Sequence, residues 1–207
     1  MNNKILCAAI GAAALAALAG CGPQQPEADL PNLTAAMNAY LAKKGDLCLG
    51  KTQWPIDVPQ REAGTRARNA VQMPVLEHVG LVSASTAKVE NDKEAGEIEV
   101  TRYALTDEGK KYFLVRKNQS GQGGQGDFCA AHLTLDKIVG WEARKDAKDP
   151  AEVVVTYTYR IDAAPWTGNA DVQKAFPMVD RVVRGAGTMQ LKQNFKRTGN
   201  GWVPAEV

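Results

Sequence analysis

The sequence predicts an α+β fold in two lobes, a mainly helical lobe followed by an antiparallel-sheet lobe, and three observations predict it. Leu33, Met37, Tyr40 and Leu41 recur at i, i+4, i+7 and i+8, which gathers apolar side chains on one side of a helix. Val153, Val155, Tyr157, Tyr159 and Ile161 alternate with Thr156, Thr158 and Arg160, the period of a strand with one buried face. Between them, KNQSGQGGQG at 117–126 carries four glycines and no apolar residue, and reads as a flexible loop separating lobes 32–116 and 127–207.

Each element follows from local chemistry. Asn32 or Thr34 can cap the first helix, and Gly45 stops it just after Lys43 and Lys44, whose charge suits the last turn. A short extended piece follows at Trp54–Val58. Residues 60–80 carry a second helical region interrupted before Pro74, which suits the first turn of a new helix with Val75, Leu76 and Val79 on its buried edge. Gly80 ends it. Leu81–Val89 and Ile98–Leu105 read as strands around a polar turn at 90–96, and Thr106 caps a short helix reaching Phe113, with Asp107 and Glu108 in its first turn.

In the second lobe Cys129, Ala131, Leu133 and Leu135 alternate with His132 and Thr134, and Met189, Leu191 and Phe195 lie opposite Gln190, Lys192 and Asn194. Residues 169–183 predict a helix broken at Pro177, and Asn200-Gly201 a turn before Trp202. Such alternation gives an antiparallel sheet with one wet face and that helix on the other.

The run Met73-Pro74-Val75-Leu76-Glu77-His78-Val79-Gly80-Leu81-Val82, then Tyr103-Ala104-Leu105-Thr106-Asp107-Glu108-Gly109-Lys110, resembles the helix–wing–helix end of a winged-helix domain. Over residues 73–113 the resemblance implies a winged-helix-like first lobe. It does not bring DNA binding with it.

The first residues read as an address. Lys4 precedes an apolar segment, Ile5–Ala17, too short for a membrane span, and Leu18-Ala19-Gly20-Cys21 closes it. This ending resembles the lipobox of bacterial lipoproteins. The resemblance implies a signal peptide over 1–20, cleavage before Cys21, a diacylglyceryl thioether on its sulfur and an acyl group such as palmitate on its amine. In Gram-negative members of the family, a residue other than Asp after the cysteine implies the outer membrane, and Gly22 stands there. Residues 21–31, rich in proline and glutamine, then form a flexible tether. An anchored winged helix cannot reach the chromosome, so no nucleic-acid partner is expected and Arg61, Arg66 and Arg68 read as a solvated polar face.

With the leader removed, about 187 residues remain and the net charge falls from +2 to +1, too balanced to recruit polyanions at long range. Cys7 leaves with the leader and Cys21 is acylated. Cys48 and Cys129 remain and are expected to pair in an oxidising compartment, with free thiols or a metal site as alternatives.

Catalytic material is thin. His78 and His132 are the two histidines. His78 sits where an imidazolium complements a helix end. His132, three residues after Cys129, lacks a second Cys/His pair to complete a zinc site. No nucleophile-elbow or zinc-protease motif occurs. The expectation is a non-enzymatic protein without metal or cofactor, bound to a bilayer through its amino terminus and to an unidentified envelope protein. The alternative is a small-ligand or glycan carrier with a groove between the lobes. Trp166, Tyr157, Tyr159 and His132 are its candidate contacts, and Trp166 either lines such a groove or closes the base of the sheet.

Overall fold

The computed structural model describes residues 27–90, 96–117, 123–144 and 151–205. The leader, Cys21, most of the 21–31 tether, residues 91–95 of the expected turn and 118–122 of the glycine-rich segment lie outside the described residues. The protein is α+β, with antiparallel sheets.

The first helix, α1 (Leu30–Lys44), begins earlier than expected. Its cap is Asp29, whose carboxylate accepts the Asn32 N–H at 2.8 Å, and not Asn32 or Thr34, which lie inside the helix. Pro31 sits in the first turn, where its missing N–H costs nothing, so the last two residues assigned to the tether are helical. Gly45 closes the helix as expected. Asp29→Ala should destabilise the protein by about 1 kcal/mol and speed amide exchange in the first turn of α1; unchanged exchange there would reassign the cap.

The chain continues through β1 (Asp46–Cys48), β2 (Ile56–Pro59), a 3₁₀ turn at Gln60–Glu62 and α2 (Arg68–His78). Pro74 lies inside α2 and starts no new helix. The bond its missing N–H would make is forfeited, and the buried Met73 and Leu76 hold the helix together by packing. The hairpin β3 (Val82–Glu90) and β4 (Glu97–Leu105) follows, then α3 (Asp107–Lys110), where the Gly109 N–H donates to Thr106 Oγ1 at 3.0 Å. The helix is shorter than expected, because Phe113 already opens β5 (Phe113–Lys117).

Strand β6 (Gly123–Ala143) is 21 residues long and takes in the end of the segment expected to be a loop. Lys117 pairs with Gly123 and Val115 with Gly126. The glycines serve the pairing rather than break it. A Cβ on Gly126 would lie 2.4 Å from the Phe113 ring, so that ring packs against bare backbone. Strand β7 (Glu152–Ala163), a 3₁₀ turn at Pro165–Gly168, α4 (Ala170–Ala175), α5 (Pro177–Arg184), β8 (Leu191–Thr198) and β9 (Gly201–Pro204) complete the chain. Pro177 separates α4 from α5, as the sequence predicts.

Strands β2-β4-β3 form one sheet and β1-β6-β7-β8-β9 the other, with β5 also on β6. Ala131 is in register with Leu47 of β1 on one edge of β6 and with Ala163 of β7 on the other. A bulge between Leu47 and Cys48 then shifts the ladder. Beyond it the Phe128 carbonyl accepts from Leu49 and the Cys129 N–H donates to Tyr112. Neighbouring strand residues aim their backbone groups to opposite sides, so β5 follows β7 along one edge and leaves a notch where β6 changes partner.

Two apolar cores result, and they do not follow chain order. Leu33, Met37 and Leu41 of α1 pack on Leu133, Val155, Tyr159 and Phe195, so α1 covers the large sheet where the helix at 169–183 was expected. Of that helical pair, α5 reaches this core through the Val182 carbonyl, which accepts the Tyr159 hydroxyl at 2.7 Å. Trp166, Val172 and Phe176 instead join Met73, Leu76, Tyr103 and Phe128 in the other core. The Gln72 amide of α2 donates to the Ala175 carbonyl across the same contact.

Candidate functional site

Of the residues singled out in the sequence, Cys48 and Cys129 form a disulfide joining β1 to β6 directly across the ladder, with Cα atoms 3.8 Å apart. Cys21 lies outside the described residues. Trp166, Tyr157 and Tyr159 are buried in the interior. Trp166 is 8 % exposed and stacks among Tyr112, Phe128 and Phe176, which places it in the aromatic core instead of a loop surface. Burial, with Tyr40 and Tyr159 beside it, pushes the Tyr157 hydroxyl up to about 12, so it stays neutral.

His132 does reach a cavity. It lines the notch on β6, a hollow of about 290 Å³ shared with Asp46, Lys111, Tyr112, Asp162 and Pro165. Asp46, His132 and Asp162 stand side by side on β1, β6 and β7. His132 Nδ1 lies 2.5 Å from Asp46 Oδ1, and Arg116 of β5 pairs with the same carboxylate. Asp46 orients the imidazole, and Lys111 and Tyr112 share the notch with the pair. Among the described residues no three histidine, cysteine or acidic side chains are placed to hold a metal.

A second cavity, of about 420 Å³, was not visible in the sequence. It is built where the chain leaves β1. The Gly50-Lys51-Thr52-Gln53 turn forms one wall, the start of α2 (Ala67, Arg68, Asn69) another, and Ile56 and Glu62 close it. Gly50 sits at φ +68°, a left-handed conformation that glycine adopts without strain. The turn is pinned by Asp127 of β6, whose carboxylate accepts the N–H groups of Gly50 at 3.2 Å and Lys51 at 2.7 Å. Asp127 also accepts the Phe128 N–H at 2.7 Å.

Lys51 is 5 % exposed. Its ammonium donates to Asn69 Oδ1 at 2.8 Å, and Arg68 Nη2 donates to the Leu49 carbonyl at 2.6 Å. Burial first, then the Arg68 charge, pull the Lys51 amine down from the usual lysine value to about 8, against a smaller opposing pull from Asp127. A buried, destabilised cation facing a polar cavity is a feature that concentrates at functional sites. The sequence held no sign of it beyond one lysine after a glycine, since the burial is made by residues far along the chain.

Among the described residues no helix is long and apolar enough to cross a membrane. No protein-family model, curated protein or solved structure matches this chain.

Proposed function

We propose that this chain is a non-enzymatic, lipid-anchored protein of the outer membrane, facing the periplasm, whose domain acts by binding a small polar ligand. The observation that carries the binding reading is the Lys51 cavity, a walled, donor-rich space of ligand size with a buried cation. The anchoring part of the reading comes from Leu18-Ala19-Gly20-Cys21, and the Cys48–Cys129 bond is what an oxidising envelope compartment would form. Within this reading α2, the β3–β4 hairpin and α3 make a winged-helix-like unit that serves as one wall of the ligand site through the start of α2, with no nucleic-acid role.

A second reading, attachment to an envelope protein in assembly, is favoured by one observation. Strand β5 is bonded to β6 on one side, and Leu114 and Val115 beside its other edge are exposed. An extended partner segment could add there as a further strand.

The anchor is tested by Cys21→Ala. The variant should accumulate as an unprocessed or soluble precursor, measured by membrane fractionation and intact mass. Fractionation identical to the parent protein would rule out the lipid anchor.

A further inference from the structure

We propose that the cavity between the Gly50–Gln53 turn and the start of α2 binds the oxyanion group, carboxylate or phosphate, of a small molecule, held by Lys51 and Arg68. This deepens the ligand-binding reading above and rests on it.

The argument is a count of donors against acceptors. An ammonium carries three N–H groups and a guanidinium five. Among the described residues the two head groups make one bond each, Lys51 to Asn69 and Arg68 to Leu49. Thr52 and Gln53 add further donors to the lining. The charged groups facing Lys51 are Arg68 from α2, Asp127 from β6 and Glu62 from the 3₁₀ turn. Asp127 already accepts three backbone N–H groups, which leaves its oxygens little capacity for the cavity. Among the described residues of the lining Glu62 is the one carboxylate, set against two cations. No side chain caps α2, and Ala67, Arg68 and Asn69 of its first turn line the same space, so the helix adds positive potential rather than relieving it.

Two like charges close together, one of them buried, are costly until a counter-charge arrives. An oxyanion placed between Lys51 and Arg68 supplies that charge and accepts the spare N–H groups in charge-assisted bonds. A volume of about 420 Å³ exceeds what a bare ion fills and falls in the range of small-molecule sites. The site therefore selects a molecule that carries the oxyanion on a small polar body.

Binding should be linked to protons. The free Lys51 amine titrates near 8, and a bound anion favours its charged form and moves it back up. At pH 8 complex formation should take up about half a proton. Above pH 8 the affinity should fall by up to about tenfold per pH unit, because the neutral amine must first be protonated.

The experiment is calorimetric titration of the full protein, purified from envelopes in detergent, with succinate and with inorganic phosphate. It is run at pH 7, 8 and 9 in two buffers of different ionisation heat. Saturable binding of either probe with proton uptake at pH 8 is the expected result, and the tighter probe distinguishes a carboxylate from a phosphate ligand. Lys51→Met should abolish the proton uptake and weaken binding at least tenfold. Arg68→Gln, at an exposed position, should weaken it and reduce the uptake at pH 8, because without the Arg68 charge the free Lys51 amine titrates higher. No saturation by either probe up to about 10 mM, or binding that survives Lys51→Met with its proton uptake intact, would overturn the proposal. Intact mass on the same sample reports acylation of Cys21. A non-acylated protein that binds loses the anchor and keeps the site, and an acylated protein that binds neither probe does the reverse.

Discussion

Phe128→Ala will lower the unfolding free energy by about 3–5 kcal/mol, among the largest effects expected of a single side chain in this protein. Phe128 is fully buried at the point where strand β6 enters the first core. Its ring centre lies 5.9 Å from Trp54, 6.2 Å from Tyr112 and 5.8 Å from Trp166. Those three rings come from the loop before β2, the turn before β5 and the turn after β7; Tyr112 and Trp166 also meet edge to face at 6.0 Å, and Phe128 joins Trp54 to them. Its removal leaves a cavity whose walls belong to separate elements and cannot close together, which puts the cost near the upper end for a lost aromatic. Among the described residues the Trp54 and Trp166 indole N–H groups have no hydrogen-bond partner, so ring packing is what holds them in this core. Urea unfolding with the disulfide intact measures the change. A loss below about 1.5 kcal/mol would mean that the core collapses around the hole.

Opening the disulfide is the second large effect. Cys48 and Cys129 are 81 residues apart in sequence, and closing a loop of that size restricts the unfolded chain by about 4.5 kcal/mol on the chain-entropy argument. The double replacement Cys48→Ala, Cys129→Ala should cost about 2–5 kcal/mol and lower the melting temperature by roughly 10 °C. The β1–β6 ladder supplies backbone bonds of its own, so the variant should still fold. A melting temperature unchanged by the double replacement would show that the unfolded chain is held together by other means.

The parts of the fold legible in the sequence are those set by local pattern. Strand β7 is clear because one of its faces is buried along most of its length, which writes the period of two into its residues. Gly45, Thr106 and Pro177 end or start helices through their own backbone chemistry. Asp29 was obscured because Pro31 resembles a tether residue as much as a helix start, and only the following turn separates the two roles. Strand β1 has three residues and exists by virtue of its partner on β6, so no window of sequence contains its cause. Strand β6 hides its first four residues for a different reason, since Gly123–Gly126 has the composition of a loop and is extended because of what lies across from it.

The candidate site was less legible than the fold. Cys48 and Cys129 were found by elimination, which needs no geometry. Trp166 was open to two readings because Ala164-Pro165-Trp166 looks like an exposed turn, and that turn delivers Trp166 to the core. Lys51 and Arg68 gave no local signal. Lys51 is buried by long-range packing, and its partners Asn69 and Asp127 lie on α2 and β6.

The position of the disulfide also decides how the molecule bears tension. A pull on its amino-terminal end passes along α1 and β1 to Cys48, and from there covalently into β6. The residues between Cys48 and Cys129, with the whole of the Gly50–Asn69 cavity wall among them, are a slack loop in that circuit and carry no load. Force can strip α1 from its sheet without deforming the cavity, so strain on the chain's leading end and occupancy of the cavity are mechanically independent.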